Sequence, residues 1–185
     1  MTAHRSADAT TAVTPAVTLG LLAAWALHDA EEVALGPRWL KRHLPELRAR
    51  FPQLPDRVWR AMERVDQGEF ATAVAFVGGV VAAAATAGHL TGGRSALYQS
   101  ALDGFGLHGL VHLAQAAAVR GYTPGSATSP LLVIPFTVWA RHRLHRAGVL
   151  RPTRARDAVL ALVAAGAVTT GAHLAAHRLA TRHRR

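Results

Sequence analysis

Four stretches of the chain, 10–27, 70–88, 121–140 and 158–177, contain no Asp, Glu, Lys or Arg, and a fifth, 95–119, carries only Asp103. Each is close to the roughly 20 residues that a helix needs to cross about 30 Å of hydrocarbon. The runs 70–88 and 158–172 lack the polar stripe that a soluble alanine-rich bundle would show. The expected fold is therefore all-α, a polytopic membrane helical bundle of about five transmembrane helices. Their extents are about 14–35, 69–90, 95–120, 126–143 and 156–179. Gly36-Pro37 is expected to end the first and Thr91-Gly92-Gly93 the second. Tyr122–Gly125 forms a turn, and Pro130 and Pro135 disturb the helix that follows.

Between the first two helices, residues 38–62 mix Trp39, Leu40, Leu44, Leu47, Phe51, Leu54 and Trp59 with cations and prolines. This predicts a basic amphipathic segment at the membrane interface, with Trp39 and Trp59 as anchors. Residues 1–12 read as a disordered tail, 13–179 as a single bundle domain and 180–185 as a basic tail. The first apolar run is expected to stay as a mature helix: charged residues follow Leu27 at once and no small-residue cleavage site is evident.

Half of the 185 residues are apolar and the formal charge is +10. Eight Lys/Arg fall between Gly36 and Arg64, six between Arg141 and Arg156 and four between Arg178 and Arg185. Cations in the gaps and the tail suit anionic head groups, so membrane lipids are the expected partners and a multi-pass place in the inner (plasma) membrane follows. No zinc-finger spacing, recognition helix or basic–aromatic repeat supports nucleic-acid binding. Orientation stays open, because an odd number of spans puts the first two clusters on opposite sides; a re-entrant fourth helix would relieve the conflict. Homo-oligomerisation is also left open. Cysteine is absent, which removes disulfide, thiolate-metal and cysteine-nucleophile chemistry together.

Chemistry must therefore come from His, carboxylate, Tyr, Ser or Thr. His28, Glu31 and Glu32 close the first apolar run, where ionisable groups are costly unless paired or metal-bound. At about 100° per residue, Glu32 lies about 40° to one side of His28 and Glu31 about 60° to the other, so all three share a face. His108 and His112 are one turn apart in the 95–120 helix, with Gln115 extending the line. Packing these two helices together would assemble His28, Glu31, Glu32, His108 and His112 as ligands for one or two divalent ions, Fe or Zn. The bland alternatives are neutralisation of the glutamates by Arg38, Lys41 or Arg42, and interhelical hydrogen bonding by the histidines. Glu-x-x-His repeats and His-Glu-x-x-His are both missing, so neither a di-iron bundle nor a zinc protease is indicated. Asp103 reads as a helix-dipole partner, His89 as a capping residue and His173 and His177 as peripheral. Tyr122 is either a hydrogen-bond donor to the polar centre or an interfacial anchor.

His28-Asp-Ala-Glu31-Glu32, His108-Gly-Leu-Val-His112-Leu-Ala-Gln115 and Tyr122-Thr-Pro-Gly125, followed by Thr128 and Pro135, occur in that order. Over about residues 17–145 the chain thereby resembles the HXXEE family of small prokaryotic membrane proteins, whose function is unknown. The resemblance implies hallmark positions at His28, Glu31, Glu32, His112 and Tyr122 to Gly125; where the family commonly has asparagine, this chain has His108. The expected function is a metal-dependent membrane enzyme oxidising or hydrolysing a lipid or other hydrophobic substrate, with Glu31, Glu32 and Tyr122 as candidate catalytic groups. A non-catalytic membrane scaffold and a proton-coupled transporter are the competing readings.

Overall fold

The computed structural model describes residues 13–152, 166–168, 170–172, 175 and 178. Both tails, most of the predicted 156–179 helix, and His173 and His177 lie outside them. The described residues form α1 (Pro15–Thr18), α2 (Gly20–Arg50), α3 (Asp56–Glu63), α4 (Gln67–Leu90), α5 (Ala96–Val119), a π-helix (Ser129–Val133) and α6 (Ile134–Arg146). No strand occurs among them, so the protein is all-helical as the apolar pattern predicts. Among the described residues, α4 is the one helix both long and apolar enough to cross a membrane.

The largest departure from expectation is α2. It does not stop at Gly36-Pro37 but runs 31 residues with Pro37 and Pro45 inside it. Proline at position 37 removes the N–H that would bond the Val33 carbonyl one turn earlier. The Gln67 side chain supplies the missing donor, its Nε2 lying 2.5 Å from that carbonyl. A long-range contact thus replaces the lost helix bond and lets the helix continue. The basic segment becomes the second half of α2 followed by the short α3, and burial removes one of its tryptophans, Trp59, from the expected anchoring role. Trp59 is buried, its indole N–H donating to Leu54 O at 3.1 Å, whereas Trp39 is half-buried and stacked on His43.

The other boundaries follow local chemistry. Asp66 caps α4, accepting from the backbone N–H of Gly68 and Glu69, and Ser95 caps α5 through Tyr98 N. Val17, Leu21 and Ala24 pack with Tyr98, Leu102 and Phe105 of α5 and with Val133, Ala140 and Leu144 to form the main core. Small residues set the spacing: Trp25 lies over Gly78 of α4, and Val133 over Gly109 of α5. Buried Gln99 ties the connecting loops, donating to Gly93 O and Val149 O and accepting from Arg151 N.

Asp103 pairs with Arg141 of α6. The expected dipole role fails because Asp103 lies beyond the first turn of α5, where the field of the helix N-terminus has faded. Leu144 sits against Gly93 at one end of the bundle, while Arg50 bonds Val119 O at the other. The cations of α2–α3 and those of α6 therefore cap opposite ends.

Replacing Gln67 by Met should destabilise the protein by about 1–3 kcal/mol, the cost of orphaning a backbone carbonyl. In a Pro37→Ala background, where residue 37 regains its N–H, the same change should be nearly neutral; thermal unfolding of the four proteins of this cycle measures the coupling.

Candidate metal centre

The centre forms near the middle of α5, where His108 and His112 face the first half of α2. Their Nε2 atoms lie 2.9 Å apart. Glu32 reaches both, with Oε1 3.1 Å from His112 Nε2 and Oε2 3.8 Å from His108 Nε2. His28 completes the group, its ring centroid 5.1 Å from that of His108 and 5.0 Å from that of His112. One ligand atom from each of His28, Glu32, His108 and His112 falls within 4.8 Å of all the others. His28 is fully buried and His112 nearly so, while the His108 side chain is 44% exposed. The centre is therefore closed on the α2 side and open beside His108, where a Cβ added to Gly104 one turn away would meet open space.

The tautomer of His28 follows from proton counting. Thr128 Oγ1 lies 2.6 Å from His28 Nδ1 and 2.7 Å from Glu31 Oε2. An ionised carboxylate only accepts, so the single hydroxyl proton goes to Glu31 and the hydroxyl oxygen accepts Nδ1–H from His28. His28 Nε2 is thereby left with a lone pair, and it is buried without a hydrogen-bond partner. A buried lone pair beside two imidazoles and a carboxylate suits a cation, and a metal-bound histidine typically donates its other ring N–H to an acceptor behind it, the place that Thr128 Oγ1 takes here. An ion bound there would need nitrogens at about 2.0–2.1 Å.

Glu31 is used differently from its neighbour. Its carboxylate accepts from Tyr122 OH at 2.6 Å, Gly125 N at 3.0 Å, Thr128 N at 3.0 Å and Thr128 Oγ1 at 2.7 Å. Four donors fill it, so Glu31, expected among the ligands, stands outside the group of four and clamps the 122–128 turn instead. Tyr122 belongs to that clamp as well; partial burial and its bond to Glu31 push its phenol well above the usual range. The clamp draws the turn inward. Gly125, with φ of +84°, approaches so closely that an added Cβ would lie 2.6 Å from the His112 ring. His112 is about 10 Å of helix rise inside the end of α5, so the chain re-enters the bundle before the π-helix begins.

The remaining sequence candidates fall elsewhere. Gln115 is exposed, and exposed His89 lies at the far end with Nδ1 3.5 Å from Thr18 Oγ1. Asp29 is buried with Oδ2 unpartnered, on another face of α2 from His28. Among the described residues, Glu32 has His108 and His112 as its ion-pair partners, and none of Arg38, Lys41 or Arg42 reaches it. The support role of Thr128 was not legible from spacing, since a threonine 100 residues from His28 carries no local signal; the family resemblance alone singles the residue out.

Fold and site together define an all-helical protein with a partly buried three-histidine, one-carboxylate cluster built between two helices, open at His108 and held by a re-entrant turn. The chain belongs to the HXXEE family, described as proteins of unknown function with an HXXEE motif, whose match covers residues 19–140. No curated protein and no solved structure matches it.

Thr128→Val should free His28 Nδ1 and remove its tautomer preference, whereas Thr128→Ser should retain Nδ1–H; the ¹⁵N shifts of the His28 ring distinguish the two. Gly125→Ala should destabilise the fold by about 1–3 kcal/mol through strain at positive φ, and by more where His112 cannot move aside, read by thermal unfolding.

Proposed function

We propose that this is a multi-pass protein of the plasma membrane in which His28, Glu32, His108 and His112 hold one divalent ion for chemistry on a lipid or other hydrophobic substrate. The observation that carries the reading is the convergence of four ligand groups, with the His28 Nε2 lone pair buried and unpartnered. In lipid such a group requires a partner, and among the described residues no lysine or arginine pairs with Glu32. Three imidazoles and one carboxylate suit zinc, iron or manganese. A single ion is favoured over two, because the Glu31 carboxylate is already filled by four hydrogen bonds.

In this reading α4 is one span, and 14–35, 96–119 and 129–146 supply others; the expected span over 156–179 falls largely outside the described residues. The polar groups of the re-entrant turn are tolerable at depth because Glu31 satisfies two of its backbone N–H groups. A bound ion would act as a Lewis acid towards water if zinc, or as a dioxygen centre if iron. The chain's own residues hold the ligands in register: Thr128 orients His28, Gly125 gives room to the His112 ring, and Glu31 with Tyr122 fixes both from behind. Exposed His108 marks the side from which substrate reaches the centre.

Protein purified in lipid nanodiscs should retain about one equivalent of metal by elemental analysis. His28→Ala, Glu32→Gln and His112→Ala should weaken retention by more than the about 10- to 100-fold typical of an outer-shell change such as Thr128→Val. Folded wild-type protein that takes up no zinc, iron or manganese would end the metal reading.

A further inference from the structure

Beyond the clamp lies a half-open groove of about 400 Å³, with Glu46, Arg50 and Tyr122 exposed along it. Trp39, His43, Glu46 and Arg50 of α2 wall it on one side, and Val119 and Tyr122 on the other. The four α2 residues recur at intervals of four, three and four, so they share one helix face. Trp39 and His43 stack with centroids 4.5 Å apart, and His43 Nδ1 lies 2.9 Å from Trp39 O. That bond uses the Nδ1 proton and leaves the other ring nitrogen of neutral His43 as an acceptor.

Glu46 and Arg50 are one turn apart, a spacing that normally pairs them on the helix surface. Here Arg50 Nη1 donates to Val119 O at 2.6 Å across the cavity, and among the described residues Glu46 has no ion pair. Carboxylate and guanidinium thus line one cavity without neutralising each other. A guanidinium presents forked donors suited to phosphate, and a carboxylate among aromatic faces suits an ammonium group. A ligand carrying both groups matches the wall better than an anion, which Glu46 would repel.

We propose that this cavity binds the zwitterionic ammonium–phosphate head group of an aminophospholipid, phosphate on Arg50 and ammonium between Glu46 and the Trp39 and Tyr122 rings. The cavity lies at the end of the bundle where Arg38, Lys41, Arg42 and Arg48 are exposed, the level at which head groups meet the protein in a membrane setting. Tyr122 is shared between the cavity and the clamp, so the bound head group stands one side chain from Glu31 and, through Thr128, from His28. As a lipid site it rests on the membrane reading proposed above, but not on the metal reading.

The test is native mass spectrometry of the delipidated full chain offered phosphatidylethanolamine or phosphatidylglycerol, with metal content measured on the same samples. Wild type should retain the ethanolamine lipid about fivefold better, and Glu46→Gln should abolish that preference without changing bound metal. Arg50→Gln should weaken retention of both lipids, while Arg38→Gln, an exposed change outside the cavity, should alter neither. Equal retention of the two lipids by wild type, or an undiminished preference in Glu46→Gln, would overturn the proposal. Displacement of the lipid by equimolar soluble phosphoethanolamine would overturn it too, since the occupant would then be a free small zwitterion. Loss of metal with lipid preference intact would instead strike the metal reading alone.

Discussion

The carboxylate of Glu31 is the interaction on which the centre depends. It gathers four donors from one short turn, two of them backbone N–H groups that would otherwise be unsatisfied inside the bundle. Through that one anchor the turn delivers Thr128 to His28 and Gly125 to His112. Adjacent glutamates thereby take opposite roles. Glu32 faces the imidazoles, and Glu31, about 100° round the helix, faces the turn behind them.

The same economy of donors and acceptors runs through the rest of the fold. Pro37 leaves the Val33 carbonyl without its helix partner, and Gln67 takes the place of the missing N–H. Tyr98 OH donates to Val17 O at the break between α1 and α2. Each contact joins residues far apart in the chain and closes a gap that local helix bonding leaves. Small residues then let the helices approach closely enough for these short polar side chains to reach.

Two polar sites therefore lie on either side of one clamp. On one side the buried cluster of His28, Glu32, His108 and His112 has the composition of a metal centre, with its open flank at His108. On the other, the cavity beside Trp39 and Arg50 has opposite charges held apart by a helix-end contact. Tyr122 lines the cavity and donates to Glu31, and Glu31 is joined to His28 through Thr128, so a chain of hydrogen bonds connects the two sites.

Periodicity and composition were enough to read an all-helical chain, the extents of α4 and α5 within two residues or so, and the common faces of His28 with Glu32 and of His108 with His112. These are local properties, fixed by 3.6-residue repetition and by apolar runs. Pairing was not local, and there the sequence ran out. The stop expected at Gly36-Pro37 was overridden by Gln67 and the anchoring role of Trp59 by burial, while Asp103, beyond the first turn of α5, pairs with Arg141 instead of serving the helix dipole. Likewise, whether Glu31 or Glu32 met the imidazoles could not be told from a helical wheel that places both beside His28. The re-entrant turn decided it, because a carboxylate filled by four hydrogen bonds has no free lone pair to offer the cluster.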